Sequence, residues 1–430
     1  MTPARLRALT VPLERVAPVA FGADGIVFAG PTLALGGEGA ALEIALPEGL
    51  SDPVALEAVH EQLRDIELED HVGTRGTGPL ALGAFPFERG AGATLRVPAR
   101  IVGTDGEGHS WLTVIDASPT SAMVEEFTAR VRHAAPTHTP GRQPVLVGIE
   151  PLPEGRAYAK AVAHALVALD AHELDKVVLA RCIDACFDAD LPIGDIVERL
   201  YRGEPHCTTF SIPTPDGRFI GASPELLVER TGTTVRCQPL AGTIGLDGAA
   251  RDDELATARL LASAKDNDEH HFVVADIAER LAPLCDVVAI PDAPSIVRLA
   301  TIAHLATTLE GTLTTRPDGT TPDALALLAA LHPTPAVGGV PLARSLSLIE
   351  ELEAAPRRQW AGPVGWTDAR GDGQWVIGIR SATIRGASAT LHAGAGIVRG
   401  SDPDAELAET TLKFAGVLEA LSQGASSLLR

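Results

Sequence analysis

The first 140 residues are dominated by short strand-like runs, and this pattern limits the possible folds most strongly. The runs IVFAG, ALEIAL, LRVPARIVG and SWLTVID are separated by glycine and proline turns, with one helical stretch predicted at Pro53–Ile66. The tract His133–Gln143 is a candidate linker. Because one helix cannot cover both faces of such strands, we expect an α+β fold. Its core would be two large antiparallel β-sheets containing early and late strands, with the helices outside.

The rest of the chain alternates strands with longer helical runs. A helix is predicted at Pro153–Leu169, a strand at Lys176–Phe187 and one long helical run at Asp253–Leu284. Near the C-terminus, Asp402 can cap a helix and Pro403 suits its first position, so the last helix is predicted to begin there.

Three glutamates in these helices are candidate metal ligands. Glu269 lies in the long helical run, and Glu406 and Glu409 follow in the last helix, more than a hundred residues later. At roughly 100° per residue, Glu406, Glu409 and Lys413 share one narrow face. The stripe expected to be buried lies about 120° round from that face, and it comprises Leu407, Thr411, Phe414, Leu418 and Leu421.

Carboxylates that meet in a pocket repel one another unless a cation joins them, and oxygen-only ligands favour Mg²⁺. The alternative is a solvated helix face with an ordinary ion pair between Glu409 and Lys413. Helical spacing alone leaves both interpretations open.

Charge and composition narrow the possible partners. The chain has 35 Lys and Arg against 56 Asp and Glu, a formal charge of −21, which argues against a nucleic-acid surface or an anionic membrane as partner. The N-terminal residues lack a sustained apolar segment, and no stretch approaches eighteen uninterrupted apolar residues. Five cysteines without metal-ligand spacing suggest reduced thiols. We expect a cytoplasmic protein.

The most informative motifs lie between Lys176 and Lys413. In order, they are KVVLAR, GASPELL, PLAGTIG, LATIAHLATTLEG, LHPTPAVGG, GPVGWTDARGDGQWVIGIRSA, HAGAGIV and ETTLK. This series resembles the chorismate-utilising enzymes, a family that includes isochorismate, salicylate, anthranilate and aminodeoxychorismate synthases. LGAFPF at Leu82–Phe87 is similar to a weaker N-terminal signature of the family.

The resemblance implies an α+β fold with two large antiparallel sheets, chorismate as substrate and a magnesium-dependent site. It implies one chorismate-binding domain over residues 1–430, with a less well matched part at 1–140 and a catalytic part at 150–425. It also implies a monomer.

Residue by residue, the resemblance implies an acid and a base for adding water to the substrate ring. Lys176 is the candidate base and Glu225 the candidate acid. A lysine has an ordinary pKa of about 10.4, so Lys176 needs burial and a neighbouring positive charge to lower it. Glu225 needs a raised pKa to hold its proton.

The resemblance also assigns the binding residues. It implies that Glu269 and Glu409 hold Mg²⁺, with Glu406 close by and acting partly through water. The expected substrate contacts are Arg380 with the pyruvyl carboxylate, His304 as a hydrogen-bond donor, and Gly394 and Gly396 through backbone N–H groups near an oxyanion. Lys413 is expected either to contact the ring carboxylate or to support the residues that do.

Two positions indicate the branch of the family. Lys176 matches a lysine found where water is the nucleophile, and Ala336 matches an alanine of isochorismate synthases, where ammonia users and salicylate formers carry threonine. Both favour the conversion of chorismate to isochorismate. A salicylate synthase and an inactive chorismate-binding subunit are the alternatives. The sequence does not distinguish a menaquinone pathway from a siderophore pathway.

Overall fold

The computed structural model describes residues 5–14, 16–133, 142–246, 250–422 and 424. Most of the predicted linker, His133–Gln143, lies outside these ranges. The strands in the described residues are β1 Arg7–Leu13, β2 Ile26–Ala29, β3 Leu33–Glu38, β4 Leu42–Leu46, β5 Glu67–Asp70, β6 Leu80–Ala84, β7 Ala93–Val97, β8 Arg100–Asp105, β9 Ser110–Asp116, β10 Leu146–Leu152, β11 Lys176–Phe187, β12 Thr208–Thr214, β13 Gly217–Ser223, β14 Leu226–Thr231, β15 Thr234–Gln238, β16 Leu240–Gly245, β17 Cys285–Ala289, β18 Ser295–Arg298, β19 Ile302–Ala306, β20 Leu309–Leu313, β21 Gly339–Val340, β22 Pro363–Asp368, β23 Gly373–Ile377, β24 Ser381–Arg385 and β25 Ser388–Val398.

The helices in the same residues pack around these strands. They are α1 Pro53–Arg64, α2 Ser121–His133, α3 Gly155–Asp170, α4 Ile193–Gly203, α5 Ala250–Ala262, α6 Ala264–Leu281, α7 Ala324–Leu331, α8 Leu342–Leu352 and α9 Pro403–Leu421. Within the described ranges, none of the helices has the length and apolar character needed to cross a bilayer.

Two large sheets organise the fold, as predicted. The first has 13 strands in the order β10-β11-β25-β24-β13-β12-β2-β3-β8-β9-β1-β5, with β21 paired to β11. The second has nine strands in the order β17-β20-β15-β14-β23-β22-β6-β7-β4. Each sheet combines strands from the N-terminal part with later ones, and the pairing is antiparallel except between β1 and β5. The expected α+β fold is therefore confirmed.

A third sheet, β16-β19-β18, was not predicted. It contains the PLAGTIG segment in β16 and His304 in β19. Gly242 has φ of 70° and lies where the register between β16 and β19 shifts, so a glycine is needed at this bend.

The largest buried cluster joins both large sheets. Phe28 and Phe210 come from the first sheet, and Trp366 and Trp375 come from the second. All four side chains are fully buried, and each such burial contributes about 2 kcal/mol or more to folding. This core holds the sheets against each other and supports the strands that carry the candidate catalytic residues.

The predicted helical run Asp253–Leu284 is wrong as a single helix. The structure divides it into α5 and α6 at Ser263, whose hydroxyl accepts a hydrogen bond from the Asp266 N–H at 3.3 Å and caps α6. The predicted start of the last helix is confirmed, because the Asp402 carboxylate accepts hydrogen bonds from the N–H groups of Asp404 and Ala405.

The predicted buried stripe of α9 is only partly right. Phe414, Leu418 and Leu421 are buried, but Thr411 is only half-buried and Glu406 is 2% exposed. The reason is that α9 packs against both β25 and α3, so its buried arc is wider than one stripe. For Glu406, the alternative of a solvated face is therefore wrong.

Candidate active site

A cavity of about 570 Å³, partly open to solvent, lies where β11 and β25 meet the small sheet, α6 and α9. Most of the predicted site residues line it: Glu225, Glu269, His304, Ala336, Arg380, Gly394, Gly396, Glu409 and Lys413. Two predicted residues, Lys176 and Glu406, are buried outside its lining. Elements far apart in sequence thus bring the predicted residues to one place.

Lys176 lies behind the cavity wall at the start of β11. Its side chain is fully buried, and its Nζ lies 3.0 Å from Glu269 Oε1. The charged group beside Lys176 is therefore a carboxylate, and not the cation that was expected for a base. This contact links the candidate base directly to a candidate metal ligand.

Glu225 lies in the turn between β13 and β14 and faces the cavity. It is 4% exposed. Burial raises the pKa of its carboxyl to about 7, although Lys176, the Leu240 backbone and Arg380 oppose the rise. A carboxyl with this pKa holds a proton in about half of the molecules at neutral pH, which suits a general acid.

Each of the three candidate metal ligands pairs with a different lysine. Glu269 faces Lys176, Glu406 accepts a hydrogen bond from Lys265 at 2.7 Å, and Glu409 accepts one from Lys413 at 2.5 Å.

Burial, reinforced by the charge of Glu409, raises the pKa of Glu406. The pKa of Lys265 is raised despite its burial, because the carboxylates of Glu406, Glu269 and Glu409 all favour its charged form. The three carboxylates therefore share one electrostatic environment.

The donor set fits a hard divalent cation. All three ligand groups are carboxylates, and a Cβ at Gly396 would lie only 2.1 Å from Glu269 Oε1, so the glycine makes room for that carboxylate. The carboxylate oxygens of the three glutamates do not all lie within 4.8 Å of one another. Among the described residues, only Asp105, Glu107 and His109 form a group of three possible ligands that close together. Direct ligation of one ion by all three glutamates would therefore need side-chain movement.

His304 and Arg380 form a hydrogen-bonded pair in the cavity wall. Arg380 Nη2 lies 2.9 Å from His304 Nε2, and His304 Nδ1 lies 3.0 Å from the Gly242 carbonyl oxygen. Burial and the charges of Arg380 and Lys413 hold the His304 pKa well below its usual value. The neutral ring therefore donates from Nδ1 and accepts at Nε2. In this arrangement it has no N–H left for a substrate, in contrast to the predicted role as a donor.

Arg380 itself has two features typical of a binding residue. Its Nε is buried and has no hydrogen-bond partner among the described residues, so it is available to an anion. Its backbone has φ of 51°, in the left-handed region that is uncommon for residues other than glycine. The Ala222 N–H donates to the Arg380 carbonyl oxygen at 3.1 Å and helps to hold this conformation.

Gly394 and Gly396 have a steric role that was not predicted, and the predicted contact of their N–H groups with an oxyanion stays a prediction. A Cβ at Gly394 would lie 2.9 Å from the Trp360 ring, just as one at Gly396 would strike Glu269. The Gly394 carbonyl oxygen also accepts a hydrogen bond from Lys413 Nζ at 2.8 Å. Both glycines therefore allow side chains of the site to approach β25 closely.

Sequence reasoning missed several residues of this site. Trp360, Val178 and Val337 line the cavity, and Lys265 pairs with Glu406. PLAGTIG is one of the motifs of the resemblance, but its contribution to the wall at Gly242 was not predicted. A possible signal for Lys265 was its position one helical turn before Glu269.

Comparisons with known proteins agree with the fold and the motifs. A family model described as "Chorismate binding enzyme" matches residues 31–422. A Mycobacterium tuberculosis protein, provisionally named isochorismate synthase MenF, is 39% identical over 357 residues, which cover 80% of this chain and 87% of that protein. Isochorismate synthase DhbC of Bacillus subtilis is 34% identical over 350 residues, 80% of this chain and 81% of that protein.

A solved structure extends the similarity to the whole fold. MenF, the menaquinone-specific isochorismate synthase from Escherichia coli, aligns with a TM-score of 0.81 and covers 97% of this chain and 95% of that one. The identity is 24%, so this match concerns the fold alone. The family match spans all the motifs between Lys176 and Lys413 and confirms the resemblance seen in the sequence. The chain belongs to the chorismate-binding enzyme family.

Proposed function

We propose that this protein is an isochorismate synthase, which converts chorismate to isochorismate reversibly. The observation that carries the proposal is the buried carboxyl of Glu225 in the same cavity as the cations Arg380 and Lys413. Its pKa, raised by burial to about 7, suits a proton donor. The names of the relatives at 34–39% identity support the same activity. Ala336 at the cavity wall agrees with this branch of the family.

The reaction adds a hydroxyl at C2 of the ring and removes the hydroxyl at C4, with migration of a double bond. Water supplies the incoming hydroxyl and loses one proton to a base, while the departing hydroxyl gains one proton from an acid. We assign the acid to Glu225. We propose Lys176 as the base on the family resemblance alone, because the group found beside its Nζ is the Glu269 carboxylate and not a cation. The two protons balance, so the ring neither gains nor loses atoms, and the exchange is reversible.

Two cations in the cavity suit the two carboxylates of chorismate. Arg380 has a free Nε and a planar fork that matches the pyruvyl carboxylate, and His304 holds the other end of its guanidinium. Lys413 is anchored to Gly394 and Glu409, and we assign it to the ring carboxylate. Because the whole chain carries a charge of −21, these local cations must provide the attraction for a dianion.

We also propose Mg²⁺ as the cofactor, held by Glu269 and Glu409, with Glu406 acting through water. Bound there, the ion would neutralise the ring carboxylate and stabilise the electron-rich transition state. The glycine at position 396 and the oxygen-only donor set support this assignment.

The direct test is incubation of the protein with chorismate and Mg²⁺, followed by chromatography of the products. We expect isochorismate at an equilibrium ratio reached from either substrate, without pyruvate. Pyruvate and salicylate in equal amounts would identify a salicylate synthase. A strict requirement for ammonia would also contradict the proposal, and chorismate binding without turnover would identify an inactive chorismate-binding subunit.

A further inference from the structure

Strand β11 has a gap in its pairing directly behind the cavity. One edge is paired with β25 from Lys176 to Cys186. The other edge is paired with β21 at Lys176 and Val177, and with β10 only from Cys182 onward. Between them, no strand among the described residues covers Val178 to Arg181 on this edge. Backbone groups there need other hydrogen-bond partners.

The Val178 N–H donates to the Gly338 carbonyl oxygen at 2.8 Å, and an ion pair of two side chains bonds two further backbone groups in this gap. The Ala180 N–H donates to Glu353 Oε1 at 2.8 Å, and the Val178 carbonyl oxygen accepts from Arg357 Nη2 at 2.8 Å. Arg357 Nε donates to Glu353 Oε2 at 2.9 Å. Side chains from the end of α8 and the segment after it thus take the place of a strand.

The same arginine also contacts the other walls of the cavity. Its Nη1 donates to the Val337 carbonyl oxygen at 2.6 Å, and its guanidinium carbon lies 5.2 Å from the centre of the Trp360 ring. Val178, Val337 and Trp360 all line the cavity, whereas Arg357 is 2% exposed and does not. One buried cation therefore connects three separate segments of the wall.

The N-terminal LGAFPF segment also contacts this cation. The Phe87 ring centre lies 4.3 Å from the guanidinium carbon of Arg357. A planar guanidinium has donors in fixed directions and can stack between two rings, whereas the ammonium of a lysine has neither property. Replacing a buried ion pair by apolar residues often leaves stability unchanged, so stability alone does not explain this pair.

We propose that Arg357 and Glu353 are positioning residues, which set the cavity wall formed by Val178, Val337 and Trp360 and hold β11, with Lys176, in register. This inference rests on the proposed isochorismate synthase activity. Misplacement of reacting groups by about 1 Å can lower a rate by about 100-fold. The pair would therefore act on turnover without touching the substrate.

The test compares Arg357→Lys and Glu353→Gln with a matched control. Arg344→Lys alters another arginine–glutamate pair, in which Arg344 of α8 binds Glu173 at 2.8 Å on the surface. Melting temperatures are measured first, and kinetics are then recorded well below all of them. We expect kcat to fall by about 100-fold in Arg357→Lys and by about 10-fold in Glu353→Gln, with KM changing by less than about threefold. Arg344→Lys should match the wild type.

A purely structural role predicts lower melting temperatures with kcat within about twofold of the wild type, and this result in either variant would overturn the proposal. If Arg357→Lys does not fold, the kcat of Glu353→Gln tests the proposal on its own. If the wild type makes no isochorismate, the proposed function fails separately, and the position of the cavity wall is then compared in crystal structures of the variants. Val178, Val337 and Trp360 unmoved in Arg357→Lys, relative to Arg344→Lys, would then refute the positioning role.

Discussion

Glu225→Gln should change both the pH dependence of stability and the activity. Burial raises the Glu225 pKa from 4.5 to about 7, so between these pH values the folded chain retains a proton that the unfolded chain has lost. Stability from this group is fully present below pH 4.5 and is lost as the pH rises to about 7. The loss is about 1.4 kcal/mol for each pH unit inside this window.

Between pH 5 and pH 8 the wild type should therefore lose about 2.5 kcal/mol that Glu225→Gln does not lose, because the amide has no proton to release. Urea unfolding of both proteins at the two pH values measures this difference. Glu310→Gln is a suitable control, since the Glu310 side chain is 64% exposed and stays in water when the chain folds. It should show no comparable change.

The same variant tests the assignment of the acid. Glutamine cannot donate a proton to the leaving hydroxyl, so kcat should fall by about 10²- to 10⁴-fold. In the wild type, kcat should decline above pH 7 as Glu225 loses its proton. The reasoning is refuted if the stability difference between the two proteins is the same at pH 5 and pH 8 within about 0.5 kcal/mol, or if turnover survives the substitution.

Three further substitutions probe the rest of the site. Lys176→Ala should lower kcat by at least about 10²-fold while calorimetry still detects Mg²⁺-dependent chorismate binding, and unchanged turnover would remove the proposed base. Gly396→Ala should weaken Mg²⁺ affinity by about 10- to 100-fold in a metal titration, because the added Cβ displaces Glu269 from its position. Ala336→Thr should produce measurable pyruvate from chorismate, and a product mixture identical to that of the wild type would contradict the role given to this position in choosing the branch.

Much of the fold could be predicted because its signals are local. The strand Lys176–Phe187 and the start of α9 at Asp402 follow from side-chain pattern and capping chemistry. The break at Ser263 was missed because apolar and polar residues continue with helical spacing across it. The third sheet was missed because β18 and β19 pair across a short turn with weak strand patterns.

Most of the site residues could also be named in advance, since they lie in motifs whose order resembles one family. Their roles were harder to assign. His304 binds Arg380, 76 residues away in sequence, and Lys265 binds Glu406, 141 residues away. Helical or strand periodicity gives the face on which a residue lies, but it does not give the element packed against that face.

The sequence by itself therefore determined the family, the two-sheet α+β architecture and most of the charged residues that line the cavity. Only the tertiary structure decided which charges from distant segments face one another: Lys176 with Glu269, and Lys265 with Glu406. The physical reason is that propensity and capping act within a few residues, whereas burial, desolvation and most ion pairs depend on segments brought together by packing. The raised pKa of Glu225 belongs to this second group, because only burial in the assembled fold produces it.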